Sequence, residues 1–195
     1  HGDPGDEANL YQVQCLATSR DGIHFERQGM VVDTPPGMHH FRDPKVWREG
    51  DSWYMIVGAR EGDTGQVRLY RSADLRQWQD AGVLDEAEST MGYMWECPDF
   101  FTLNGKRVLM FSPQGMQAAG FSNRNLFQSG YLIGEWQPGQ RFIRHGEFRE
   151  MDNGHDFYAP QSFSTPDGRR IVIGWLDMWE SPLPEQQDGW AGMLS

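Results

Sequence analysis

Apolar residues in this chain cluster in short runs and not at the three-and-four spacing of a helix. SWYMIVGA (52–59), KRVLMFS (106–112) and RRIVIGW (169–175) are near-continuous apolar stretches set between Gly, Asn and Asp punctuation. Runs of that length, closed by turn formers, predict strands. Helical periodicity is almost absent, so the expected class is all-β.

Aligned on their prolines, three segments share one pattern: RDPKVWREGDSWYMIVGA from Arg42, ECPDFFTLNGKRVLMFSP from Glu96 and YAPQSFSTPDGRRIVIGW from Tyr158. In each, the proline is followed by an apolar or aromatic strand, a Gly-containing turn and a second, very apolar strand. Pro44 and Pro98 lie 54 positions apart, and Pro98 and Pro160 lie 62 apart. A second element keeps step with the first, as Ser-x-Asp-x-x-x-aromatic in ATSRDGIHF and YRSADLRQW, with Ser19 and Ser72 53 positions apart. A period of roughly 50 to 60 residues holding about four short strands predicts the blade of a β-propeller. Blades are expected to begin near Phe41, Met94 and Phe157, with the tail of an earlier blade in residues 10–28. An ordinary β-sandwich is the competing architecture, but two independent elements at one spacing favour the propeller.

The innermost strand of a propeller blade starts at the central axis, so equivalent positions on successive blades converge on one axial funnel. The pairs just before the shared proline are Arg42-Asp43, Glu96-Cys97 and Tyr158-Ala159. Two of the three carry a carboxylate, and burying carboxylates without partners is costly. Asp43 has a simple structural reading as an ion pair with Arg42 or Lys45. Glu96, flanked by Trp95, Cys97 and Pro98, is expected in an apolar setting that keeps a proton available near neutral pH, which suits a general acid.

Composition adds limits. Eight Trp, eleven Phe and six Tyr, with 23 Gly and 11 Pro, fit many short strands and frequent turns. Aromatic rings also stack on the apolar faces of sugars, which makes Trp95, Trp175 and Trp179 candidate platforms. The formal net charge of −11 argues against nucleic acid and anionic membranes as partners. No run of about 18 apolar residues offers a membrane span, and HGDPGDEANL lacks the pattern of a signal peptide. Cys15 and Cys97 have neither disulfide-framework nor zinc spacing. His39 and His40 lack a partner at ligand spacing, so no metal is expected. His155 and the acidic run Asp85-Glu86-Ala87-Glu88 read as solvated loop residues.

FRDPKVW (41–47), GYMWECPDFF (92–101), and DFYAPQSF with GRRIVIGW (156–175) resemble the successive motifs of glycoside hydrolase family 32. QCLATSRDGIHFER, LYRSADLRQW and SPQG fall in the matching order. The resemblance implies a five-bladed β-propeller followed by a β-sandwich, with about three to four blades in this chain. Residues 1–195 are then a partial propeller domain without the first blade and the C-terminal β-sandwich. It also implies hydrolysis of terminal β-fructofuranosyl bonds with retention, in an invertase or sucrose-6-phosphate hydrolase type of enzyme. Glu96 resembles the acid/base, and Asp43 the carboxylate that holds fructosyl hydroxyls and stabilises the transition state. Arg42 is expected to orient Asp43 or a hydroxyl, and Cys97 to tune the acid. Asp156, Tyr158, Trp95 and Trp175 are expected at the substrate.

The family's nucleophile, an Asp in Trp-x-Asn-Asp-Pro-Asn-Gly, has no counterpart. Asp3-Pro4 reads as a surface turn, so the isolated chain is expected to be inactive. The resemblance implies a small-molecule carbohydrate as ligand (sucrose, sucrose 6-phosphate or a fructo-oligosaccharide); no cofactor is expected, and the two cysteines are compatible with the reduced compartment of an expected cytoplasmic location. Competing functions are a five-bladed arabinosidase or fructosyltransferase, a non-catalytic sugar-binding propeller, and a propeller for protein partners.

Overall fold

A computed structural model describes residues 9–88, 90–180, 184–190 and 193–194; Asp3-Pro4 lies outside them. The chain forms fourteen described strands and no described α-helix. Strands β1 (Gln14–Ser19) and β2 (Phe25–Val32) make a two-stranded hairpin. A four-stranded sheet follows, built in sequence order from β3 (His40–Glu49), β4 (Ser52–Glu61), β5 (Thr64–Ser72) and β6 (Trp78–Glu86). Next come β7 (Met94–Leu103), β8 (Lys106–Gln114) and β9 (Gly130–Glu135), with the short β10 (Ile143–Arg144) and β11 (Arg149–Glu150) both paired to β9. The last sheet is β12 (Phe157–Ser164), β13 (Arg170–Leu176) and β14 (Met193–Leu194). These are antiparallel meanders starting at His40, Met94 and Phe157, at the blade starts read from the repeat.

The core lies between blades. Tyr54, Ile56, Val67, Leu69 and Leu84 of the first four-stranded blade close on Trp95, Phe100, Leu109, Phe111, Leu132 and Trp136 of the next. The opposite face of β4 packs Met55, Val57 and Ala59 with Val32, Met38, Phe41 and Tyr70. Burial on both faces explains why SWYMIVGA is continuously apolar where a one-sided strand would alternate. A smaller cluster of Phe101, Val108 and Met110 meets Val172 of the third blade.

Glycine sets the distance between the first two blades. A Cβ on Gly58 of β4 would stand 2.2 Å from the Trp95 carbonyl, and one on Gly65 of β5 would stand 2.6 Å from the Trp95 ring. The β7–β8 hairpin turns on Asn104 and Gly105, both at positive φ (48° and 75°), a pair suited to a tight two-residue hairpin.

The Ser-x-Asp repeat is a structural unit. Ser19 Oγ accepts the amide N–H of Gly22 (2.8 Å), and Asp21 Oδ1 accepts those of Ile23 and His24 (2.9 and 2.8 Å). Ser72 Oγ and Asp74 Oδ1 do the same for Leu75, Arg76 and Gln77 (2.9 Å each). Each outer hairpin is thereby folded by the same side-chain turn.

The acidic run departs from its solvated reading. Asp85 and Glu86 belong to β6, and Asp85 is only 6% exposed. Arg144 of β10 donates from Nε and Nη2 to the two Asp85 oxygens, both at 2.8 Å, and from Nη1 to Glu88 Oε1 at 2.8 Å. Burial pushes the Asp85 carboxyl upward from its ordinary range against the pull of Arg144. The run is a polar clip between two blades.

Candidate active site

The innermost strands β3, β7 and β12 share one irregularity. On β3, Arg42 pairs with Gly58 and Lys45 with Ile56, so Asp43 and Pro44 together face a single residue. The same one-residue bulge separates Glu96 from Asp99 on β7 and Tyr158 from Gln161 on β12. Proline suits this point because it has no N–H to give to the ladder. The residue before it adopts positive φ in all three blades: Asp43 at 63°, Cys97 at 49° and Ala159 at 51°. A bulge re-aims side chains and is often found next to active sites.

Three tiers result. Two residues before each proline stand Arg42, Glu96 and Tyr158, and they bond to one another. Arg42 donates from Nε (2.8 Å) and Nη2 (2.5 Å) to Glu96 Oε1, while the Tyr158 hydroxyl donates to Oε2 at 2.5 Å. Gln114 Nε2 supplies a second donor to Oε2 at 2.9 Å. Glu96 thus accepts four hydrogen bonds, the full capacity of a carboxylate. One residue before the proline, Asp43 Oδ2 accepts the Cys97 amide at 3.0 Å and faces its thiol at 3.5 Å. Asp43 Oδ1 makes no hydrogen bond among the described residues. One residue after it, Lys45 lies 3.2 Å from Asp99 Oδ2 and donates to Gln161 Oε1 at 3.2 Å.

Burial, and then the negative charge of Glu96, pushes the Tyr158 phenol far above its ordinary value. The Cys97 thiol is likewise raised, first by burial and then by Asp43 and Glu96. Both stay protonated, which keeps them as donors to the two carboxylates.

Several expectations change. Arg42 grips Glu96 itself instead of Asp43, with its Nη1 also 2.9 Å from His40 Nδ1 and 3.3 Å from Gln12 Oε1. The setting of Glu96 is therefore polar, not apolar. Trp95 is fully buried, stacked on Phe111 at 3.9 Å, and its indole N–H donates to Met91 O at 2.8 Å. Neighbouring residues on a strand point to opposite faces, so the alternation that puts Glu96 in the funnel drives Trp95 into the core. Trp95 is core and not a sugar platform.

Trp175 is half-buried and lies parallel to Trp179 at 6.4 Å. Trp179, 47% exposed, meets Tyr158 edge-on at 5.2 Å and has the more open ring. Asp156 is buried, with its Oδ2 2.6 Å from His155 Nδ1. It lines a cavity of about 380 Å³ between the β8–β9 and β11–β12 loops, beside the Tyr158 strand. Among the described residues no cluster of metal-ligating side chains occurs.

Gln114 and the Lys45–Asp99–Gln161 tier escaped the sequence reading. Glu96 pairs with Ser112, and Gln114 is two residues further along the same face of β8, within diagonal reach. That signal needs the strand register.

The profile of the glycosyl hydrolases family 32 N-terminal domain matches residues 2–195. The chain is 60% identical over 192 residues to a sucrose-6-phosphate hydrolase of Escherichia coli, covering 98% of this chain and 40% of that protein. It is 54% identical over 194 residues to an Escherichia coli raffinose invertase, covering 99% of this chain and 41% of that protein. Among solved structures, the Bombyx mori β-fructofuranosidase superposes with a TM-score of 0.89 at 44% identity, over 94% of this chain and 40% of that one. The chain thus spans about 40% of the length of the relatives it matches. With its motif order, its repeated bulge and this match over almost its whole length, the chain belongs to glycosyl hydrolase family 32.

Proposed function

We propose that the protein carrying this domain hydrolyses terminal β-fructofuranosyl bonds, in sucrose or a related fructoside, with retention of configuration. The observation that carries the reading is the convergence of Arg42, Gln114 and Tyr158 on Glu96, with Asp43 on the adjacent tier. Glu96, once protonated, gives its proton to the leaving glycosyl oxygen and then, as a base, takes one from the attacking water. Because all four acceptor positions of Glu96 are filled, one donor must move aside as the proton arrives. Arg42 is suited to this, since His40 and Gln12 already stand within its reach. Asp43, with Oδ2 held by Cys97, has Oδ1 left to receive sugar hydroxyls.

The covalent step needs a nucleophile about 5 to 5.5 Å from the acid/base. By family resemblance that Asp stands on a first blade outside this chain, and a β-sandwich follows the propeller. Asp156 and Tyr158 are proposed to shape the site that receives the leaving sugar. A sucrose complex of the Bombyx mori enzyme, in a D63A mutant, supports a small carbohydrate as ligand. The free thiols of Cys15 and Cys97 fit a cytoplasmic location.

Fructose release from sucrose, sucrose 6-phosphate and inulin by the complete polypeptide tests this directly. Glu96→Gln is expected to lower kcat by roughly 10² to 10⁴ with all three substrates. Undiminished release by that variant would remove Glu96 from the mechanism.

A further inference from the structure

Cys97 is gripped at both ends from neighbouring blades. Its amide N–H donates to Asp43 Oδ2 on β3 at 3.0 Å, and its carbonyl accepts Gln161 Nε2 from β12 at 2.8 Å. The residue itself sits at φ 49°, in the left-handed region that a side chain with a Cβ adopts only under constraint. A residue has two soft dihedrals, set by the peptide planes on either side of it. Holding one plane from β3 and the other from β12 therefore fixes both. Releasing either lets the backbone relax toward negative φ and turns the Cys97 N–H away from Asp43.

The Gln161 amide is oriented for this hold. Lys45 Nζ donates to Gln161 Oε1 at 3.2 Å. An ammonium can only donate and a carbonyl can only accept, so one orientation of the amide satisfies both neighbours. Lys45 is anchored in turn, donating to Ser162 O at 2.7 Å and lying 3.2 Å from Asp99 Oδ2. Asp99 is fully buried, and its Oδ2 accepts the Ser162 amide and hydroxyl at 2.7 and 2.6 Å. The bonds close a ring across three blades, from Asp43 through Cys97, Gln161 and Lys45 back to the strand that carries Asp43.

We infer that Gln161 is a positioning residue, which holds Cys97 in its left-handed conformation and thereby aims the Cys97 amide at Asp43. With Oδ2 fixed by that amide, the plane of the Asp43 carboxylate is set and Oδ1 is presented in one place. The inference rests on the fructosidase reading for its effect on rate, whereas the hold on the backbone rests on the geometry alone.

The test uses Gln161→Leu and Gln161→Glu in the complete polypeptide. Both remove the N–H that the Cys97 carbonyl accepts. Gln161→Glu keeps an acceptor for Lys45, so it separates the hold on Cys97 from the contact with Lys45. Amide hydrogen exchange at Cys97, read by mass spectrometry, is expected to quicken roughly tenfold in both variants, the effect of one lost hydrogen bond. Exchange along β4 is expected to stay at the wild-type rate. With the sugar that the wild type turns over, kcat is expected to fall roughly 10- to 100-fold in both variants, the scale of a misplacement of about 1 Å. KM is expected to change less than about threefold, because the contact spoiled at Asp43 acts in the transition state.

Unaltered exchange at Cys97 in the two variants overturns the proposal. So does a wild-type kcat in Gln161→Glu, which makes Gln161 a partner of Lys45 and nothing more. A fall in kcat accompanied by faster exchange along β4 is a general loosening of the fold and overturns it too. A wild type that releases no fructose from sucrose, sucrose 6-phosphate or inulin sinks the fructosidase reading instead, and Cys97 exchange in the variants still decides whether Gln161 holds the peptide.

Discussion

Cys97 and Tyr158 each hold a proton that burial and neighbouring carboxylates forbid them to lose, and both consequences are measurable. Cys97 is expected to resist alkylation at pH 8 while exposed Cys15 labels, with both labelling after denaturation; mass spectrometry of the labelled peptides decides it. The folded forms of both groups titrate above their unfolded values, so their contribution to stability is complete at neutral pH. It is lost as pH rises past about 8.5 for the thiol and about 10 for the phenol. Urea unfolding at stepped pH is expected to show this loss, and Tyr158→Phe to flatten the part above about pH 10. Arg42, Glu96 and Tyr158 were legible from sequence because each sits two residues before an aligned proline. Trp95 misled because an aromatic beside an acid looks like a platform, whereas strand alternation turns it inward. Gln114 was hidden because its relation to Glu96 runs across two strands, and only the register supplies it.

Close approach between elements depends on what is missing at Gly58 and what is present at Arg144. Gly58→Ala would press a methyl against the Trp95 carbonyl and is expected to cost about 1 to 3 kcal/mol in chemical denaturation. Arg144→Ala strands the buried Asp85 carboxylate and is expected to cost about 3 to 5 kcal/mol. Replacing both members with apolar residues, Asp85→Leu with Arg144→Met, is expected to cost less than the single change. Neither contact was readable beforehand. The partner of Asp85 lies 59 residues away on a two-residue strand, too short to carry any pattern. Strands β4 and β8 were readable because burial on both faces wrote them as unbroken apolar runs, whereas β13, an equally apolar run, is mostly half-buried.

At the scale of the molecule, blades are packed side by side with chemistry at their inner edges. The 195-residue chain alone is expected to release no fructose from sucrose, since on the proposed roles Glu96 and Asp43 supply an acid and a stabilising carboxylate while the sequence lacks the family's Trp-x-Asn-Asp-Pro-Asn-Gly nucleophile motif. An assay of the purified chain beside the complete polypeptide checks this, and release that vanishes with Glu96→Ala would refute it. The architecture was legible because it repeats: two patterns at one spacing outweigh the weak signal of any single strand. The cavity lined by Asp156 was not legible, because Glu150 on β11 and Arg124 on the β8–β9 loop are brought together only by folding. The bulge before proline is present in the third blade as well, where Ala159 takes the strained position and carries no charge. It is therefore a mounting common to every described blade, indifferent to what it holds. Chemistry in such a scaffold is an address on a dial. Exchanging the residues at that address between blades would rotate the reactive group about the channel axis while the backbone stayed still, a route by which duplicated blades can acquire new reactions without relearning how to fold.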